Sequence, residues 1–204
     1  MSNSKGKKSI ATKQYIIEKA ATLFNQNGFA GTSMKDIMTA TDLSKGALYG
    51  HFKTKEDIAL AAFEQAVIIV WDEIKLRTSV IEHALDKLKA VVYFYKERIL
   101  TPPVEGGCPI QNTAIDVDDG NPALRESVRE TTSLWQKNIK KTLHKGMQKG
   151  EVRLDVNAAD FAIRFVAVLE GGIMLSNLYK DVHHFDVIAR LLINMIDELN
   201  TNKT

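Results

Sequence analysis

A single cysteine, Cys108, in 204 residues leaves the chain without an intramolecular disulfide and suits a reducing compartment. Prolines number only four, and three of them fall between Thr101 and Pro109, so helix breakers are nearly absent elsewhere. Long apolar runs are missing too. Residues 161–169 are interrupted by Arg164 and fall far short of the ~20 apolar residues that a membrane span requires. The first nine residues are polar and basic with no apolar run behind them, so they do not read as a secretion signal. Internal repeats, low-complexity segments and alternating strand patterns are also lacking. These absences exclude a disulfide scaffold, a membrane helix and a β-rich fold. With 45% apolar and 25% charged residues, what remains is a globular, mostly helical, cytoplasmic protein.

The net charge of +2 is small, but its distribution is uneven. Residues 1–60 carry nine lysines against five acids, which leaves 18 basic and 20 acidic groups for the rest. A basic front on a slightly acidic body suits a polyanion that meets the front alone.

Helical periodicity and capping residues divide the chain. Residues 11–27 form a first helix, with Ile17, Ala20, Ala21 and Phe24 at helical spacing, ended by Gly28, with Phe29 packing back. Ser33 with Asp36 caps a short helix to about residue 41, and Asp42 stands in the turn. Ser44 caps another over residues 45–52, and Thr54 with Asp57 opens a long helix to about residue 77. Ser79 with Glu82 is expected to cap the next, which carries Leu85, Leu88, Val92 and Tyr95 on one face. After the proline break come a short helix over residues 110–117 and a turn at Asp118-Asp119-Gly120-Asn121. Pro122 then begins a helix to about residue 148, Asn157 with Asp160 caps one to about residue 179, and the last covers residues 185–199.

Helix, tight turn and helix over residues 34–52 match the geometry in which the second helix enters the DNA major groove. Phe24, Ile37, Ala40, Leu43, Leu48 and Phe52 supply a miniature core. Lys45, Gly46, Ala47, Tyr49 and Gly50 are then left facing outward, small or hydrogen-bonding residues that let backbone and base edges approach. Thr32, Ser33, His51 and Lys55 are expected to hold phosphates, Lys55 with help from the positive end of its own helix.

The stretch Gly28-Phe29-Ala30-Gly31-Thr32-Ser33-Met34-Lys35-Asp36-Ile37, followed by Leu43 through Glu56, resembles the signature of the tetracycline-repressor (TetR/AcrR) family. Departures are Asp42, where glycine is frequent, and the small Ala47 and Gly50, which bear on the operator sequence. The resemblance implies an all-α protein of about nine helices that represses transcription as a homodimer joined by its last two helices. It implies double-stranded operator DNA and a small-molecule effector as partners. We therefore expect a DNA-binding head in residues 1–53 and a ligand-binding, dimerising body in residues 54–204. Gly171, Gly172, Leu175 and Leu178, with Leu191, Leu192, Met195 and Ile196, are the expected dimer face. An apolar pocket is expected from Trp71, Tyr93, Phe94, Trp135, Phe165 and Met174, with Gln111 and Asn112 as polar partners. Cys108 joins this set, since its loop resembles one found in a branch of the family, and it is a candidate sensor of oxidants or electrophiles.

No serine–histidine–acid set, phosphate-cradling glycine loop or paired carboxylates read as catalytic, and no cofactor is implied. His183-His184 with Asp186, and His83 with Asp86, lack the further ligands of a metal site and read as surface histidines. The rival reading is a helical enzyme or binding protein with an incidental basic head.

Overall fold

A computed structural model describes residues 2–117 and 121–201; the turn expected at Asp118, Asp119 and Gly120 lies outside these residues. Among the described residues the fold is all-α. It comprises nine helices: α1 (Ser2–Gly31), α2 (Met34–Thr41), α3 (Lys45–Tyr49), α4 (Lys55–Thr78), α5 (Ala84–Arg98), α6 (Pro109–Asp116), α7 (Pro122–Gln148), α8 (Ala158–Tyr179) and α9 (Val182–Asp197). Extended pairing among them amounts to one antiparallel bridge, Val152 with Asn200.

The expected helix ends are largely where local chemistry sets them. Ser33 caps α2 with a full capping box, its hydroxyl accepting from the Asp36 N–H while the Asp36 carboxylate accepts from the Ser33 N–H. These Ser33 hydrogen bonds hold the Asp36 carboxyl below the ordinary carboxylate range, so the capping is intact at neutral pH and is lost only in acid. Asp42 adopts the left-handed conformation (φ 53°) that an Asp tolerates, and Ser44 caps α3. Thr54 and Asp57 exchange 3.1 Å bonds at the start of α4. Gly28 interrupts α1 with φ 74°, and Phe29 stacks back on Phe24 with 6.2 Å between ring centroids. The helix around it begins earlier, and resumes later, than periodicity indicated.

Other ends differ from expectation as well: α3 stops at Tyr49 rather than near residue 52, with Gly50 as its C-cap. Ser79 and Glu82 do not cap α5, which starts after His83; the Glu151 carboxylate, 67 residues away in sequence, accepts from the Ala84 N–H at 2.7 Å. Helix α9 begins three residues earlier than expected, because Asp181 accepts from the His183 N–H.

The described chain falls into two compact units. The first holds the residues up to Val70 together with Val104–Arg129. Its centre is Ile16, Ile37, Leu48 and Ile58, all fully buried, while Phe24, Ala40 and Leu43 are only half-buried. Each such large apolar side chain contributes about 1.5–3 kcal/mol through burial. Asn25 ties α1 to the loop before α6, donating to the Glu105 and Gly107 carbonyls at 2.8 and 3.1 Å. Asn112 of α6 returns bonds of 3.0 Å to the Asn25 and Gly106 carbonyls. Gly106 (φ 109°) has no room for a side chain here, since a Cβ would sit 2.6 Å from the Asn25 carbonyl oxygen.

The second unit holds Trp71–Pro103 and the residues from Glu130 onward, with α5 and α8 both packed on α9. Phe94, Phe161, Phe165, Phe185 and Leu192 are fully buried in it. Lys89 of α5 meets Asp197 of α9 at 2.6 Å, and this hydrogen bond raises the lysine, so the pair is intact at neutral pH and weakens only as the solution becomes strongly alkaline. A Cβ on Gly172 would lie 2.7 Å from Ile188 Cγ2 of α9, so this glycine allows α8 and α9 of one chain to cross closely.

Candidate functional site

Helix α3 is short, and its caps decide what it shows to solvent. Leu48 is its buried anchor, and Ser44 holds its N-terminus by accepting from the Ala47 N–H at 3.2 Å. With Leu48 inward, Lys45, Gly46, Tyr49 and Gly50 are exposed and Ala47 half-exposed. The Lys45 ammonium lies 5.9 Å from the centre of the Tyr49 ring one turn on, so a cation and an aromatic hydroxyl share one face. Nothing stands within 4 Å of where a Gly46 Cβ would be, which leaves bare backbone on that face. Such a face can enter a groove and offer donors to base edges.

The expected phosphate-holding residues divide. Ser33 is exposed and His51 half-exposed. Thr32 is not available: it is 1% exposed, and its hydroxyl donates to the Gly28 carbonyl at 2.8 Å across the kink in α1. Lys55 likewise turns inward, donating to the Phe29 and Thr32 carbonyls at 2.8 and 3.1 Å with its ammonium 3.9 Å from the Phe29 ring centre. Both residues fasten the C-terminal end of α1 to the rest of the unit, because the chain broken at Gly28 leaves carbonyls without helical partners. Lys53, not among the expected phosphate-holding residues, is exposed immediately before α4, next to the capping Thr54.

This placement changes the expectation for Lys55. Lys55→Met should lower stability by about 1.5–3 kcal/mol, the scale of hydrogen bonds made by charged groups. It should leave the salt dependence of DNA binding unaltered, where a lost phosphate contact would flatten the log–log slope by roughly one unit. Thermal melts and salt titrations of the same variant check both outcomes.

The residues expected to line one pocket are not gathered in one. Trp71 and Trp135 border the same cavity of about 280 Å³ within the second unit, between α4, α5 and α7. Phe94 and Phe165 are core residues instead, Phe94 edge-on to Tyr95 and Phe165 against Phe161. Tyr93 and Met174 point to solvent. Cys108, Gln111 and Asn112 belong to the first unit. There Cys108 is buried at the start of α6, and Asn112 edges a crevice of about 20 Å³, room for roughly one water. A buried thiol reads as packing rather than as an exposed reactive group.

The expected dimer residues divide as well. Gly172, Leu192 and Ile196 are buried between helices of the same chain and are not available to a partner. Leu178 and Leu191 are 69% and 47% exposed, Gly171 has open space where its Cβ would be, and Leu175 and Met195 are half-buried. Ile163, Met174 and Val187, also exposed, extend this apolar stripe along α8 and α9. Amphipathicity marked both faces of these helices as apolar but not which one faces inward.

Among the described residues no cluster of His, Cys, Asp and Glu could hold a metal ion, and no helix is long and apolar enough to cross a membrane.

A capped helix-turn-helix in an all-helical chain defines a DNA-binding protein, and comparison with known proteins agrees. Residues 16–62 match the family model described as bacterial regulatory proteins, tetR family, and residues 84–192 match the tetracyclin repressor-like C-terminal domain. The chain belongs to the TetR family of transcriptional regulators. A TetR transcriptional regulator from Chloroflexus aurantiacus J-10-FL is 36% identical, with 95% of this chain and 98% of that one covered and a TM-score of 0.91. The TetR-family regulator from Cytophaga hutchinsonii is 32% identical over 96% of this chain and 98% of that one, with a TM-score of 0.88. Among curated relatives, the HTH-type transcriptional repressor DhaR of Mycobacterium sp. (strain GP1) is 24% identical, with 85% of this chain and 86% of DhaR covered.

Proposed function

We propose that this regulator is a cytoplasmic, dimeric repressor that holds an inverted-repeat operator and leaves it when a small molecule enters the cavity bordered by Trp71 and Trp135. The carrying observation is the outward face of α3, where Lys45, Gly46, Ala47, Tyr49 and Gly50 present donors and bare backbone. These read base edges, while Ser33, His51 and Lys53 hold phosphates; Thr32 and Lys55 keep the turn in place. Residues 1–53 serve as the DNA-binding part and residues 54–204 bind the effector and dimerise. The stripe formed by the exposed Leu178 and Leu191 and the half-buried Gly171 is the dimer face, since a contiguous apolar surface favours a self-complementary contact. Helix α4 contributes residues to both compact units. An effector with unequal affinity for two conformations of the body therefore has a covalent route by which to shift the heads.

Selection of bound genomic fragments tests the reading. The expected product is an inverted repeat with half-sites about 34–36 Å apart, or a multiple of that turn. Sedimentation should give a dimer at micromolar concentration. Recovery of fragments without a shared repeat, or tight DNA binding by a species that stays monomeric, would count against the proposal.

A further inference from the structure

The cavity between α4, α5 and α7 has apolar walls and cationic side chains, and the cations are left without counter-ions. Six basic residues stand on α5 and on the part of α4 in the second unit. Four are paired: Arg77 with Glu97, Arg98 with Glu73 at 2.9 Å, Lys89 with Asp197 at 2.6 Å and Lys96 with Asp186 at 3.1 Å. The two that border the cavity, Lys75 and Lys87, have no carboxylate partner among the described residues, and no acid is among the cavity's lining residues. Trp71 and Trp135 supply broad aromatic wall, and Thr142 and Asn138 add polar atoms at the side given by α7. Lys87 is half-buried and Lys75 exposed at the rim, and neither ammonium is within ion-pair distance of a carboxylate among the described residues, so both can donate to an anion that enters beside the indoles.

We infer that the cavity takes an amphipathic carboxylate, a small aromatic or alkyl-aromatic body lying against Trp71 and Trp135 with its anionic head held by Lys75 and Lys87. The volume, about 280 Å³, is that of roughly nine waters in the liquid, enough for a single substituted ring. The inference rests on the proposed role of this cavity as the effector site and adds the sign of charge that it selects.

Both tryptophans of the chain border this cavity, so intrinsic fluorescence reports on it directly. Three matched probes, para-butylbenzoate, para-butylbenzamide and para-butylbenzylamine, share a body and differ in the charge of the head. Titrated into the full-length protein, the benzoate should bind about tenfold or more tightly than the neutral amide, and the cationic amine weakest. Raised salt should narrow the gap. The Lys75→Gln/Lys87→Gln double variant should bind benzoate and amide alike, with amide affinity close to that of the parent. The latter doubles as a check that the variant is folded. Equal binding of benzoate and amide by the parent, or preference for the amine, would overturn the carboxylate class while leaving the cavity as a ligand site. Absence of binding by all three, seen also in calorimetry, would overturn the cavity reading together with the class.

Discussion

Lys45→Ala combined with Tyr49→Ala should weaken binding to the selected operator by about 100-fold or more, near 3 kcal/mol, without changing the helical circular dichroism or the melting temperature by more than a few degrees. Each side chain is exposed and takes no part in the core of the first unit, so truncation removes little native packing. The loss follows from the other side: a well-placed base or phosphate contact is worth about 1–3 kcal/mol, and two of them lie together on one helical face. The single variants separate the roles. Lys45→Ala and Tyr49→Ala should each relax preference at a different position of each half-site, as the loss of a base contact does. Retention of parental affinity by the double variant would remove α3 from the interface.

The second large effect concerns stability. Gly172→Leu should destabilise the protein by about 3 kcal/mol, or roughly 6–12 °C in melting temperature for a chain of this size. The cause is steric and internal: a Cβ alone would meet Ile188 Cγ2 at 2.7 Å, Ile188 Cβ at 3.0 Å and the Phe185 ring at 3.1 Å. Neither neighbour can withdraw cheaply, because Phe185 is fully buried and Ile188 sits on the same packed helix. The adjacent Gly171 provides the control. Within its own chain its Cβ would meet nothing, so Gly171→Ala leaves the crossing of α8 on α9 intact, and melted at concentrations too low for dimerisation it should match or slightly exceed the parent, helped by the better helix propensity of alanine. Equal melting of the two variants would show that the crossing of α8 on α9 accommodates a side chain at position 172.

The neighbouring glycines illustrate how far sequence reasoning reached. Periodicity and caps determine that the chain is all-helical and where most helices begin. Capping is local chemistry between residues three apart, as with Ser33 and Asp36, or Thr54 and Asp57. The same locality made the helix-turn-helix and the outward set on α3 readable, since Leu48 pointing inward leaves few choices for Lys45 and Tyr49. Even the left-handed Asp42 follows from what a short polar side chain tolerates.

Tertiary structure decided everything that depends on which partner arrives from elsewhere. Thr32 and Lys55 carry the groups that hold phosphates, yet the break at Gly28 exposes carbonyls that claim both of them first. Helix α5 has its cap from Glu151, a residue no local pattern could nominate. Gly171 and Gly172 are equivalent in sequence, and a rotation of about 100° per residue along α8 sends one to solvent and the other against Ile188. The aromatic residues of the body were likewise alike until packing sorted them, Phe94 and Phe165 into the core and Trp71 and Trp135 to the wall of a cavity. Sequence fixes what each side chain can do within a turn of its own helix; long-range packing decides which of those capacities is already used.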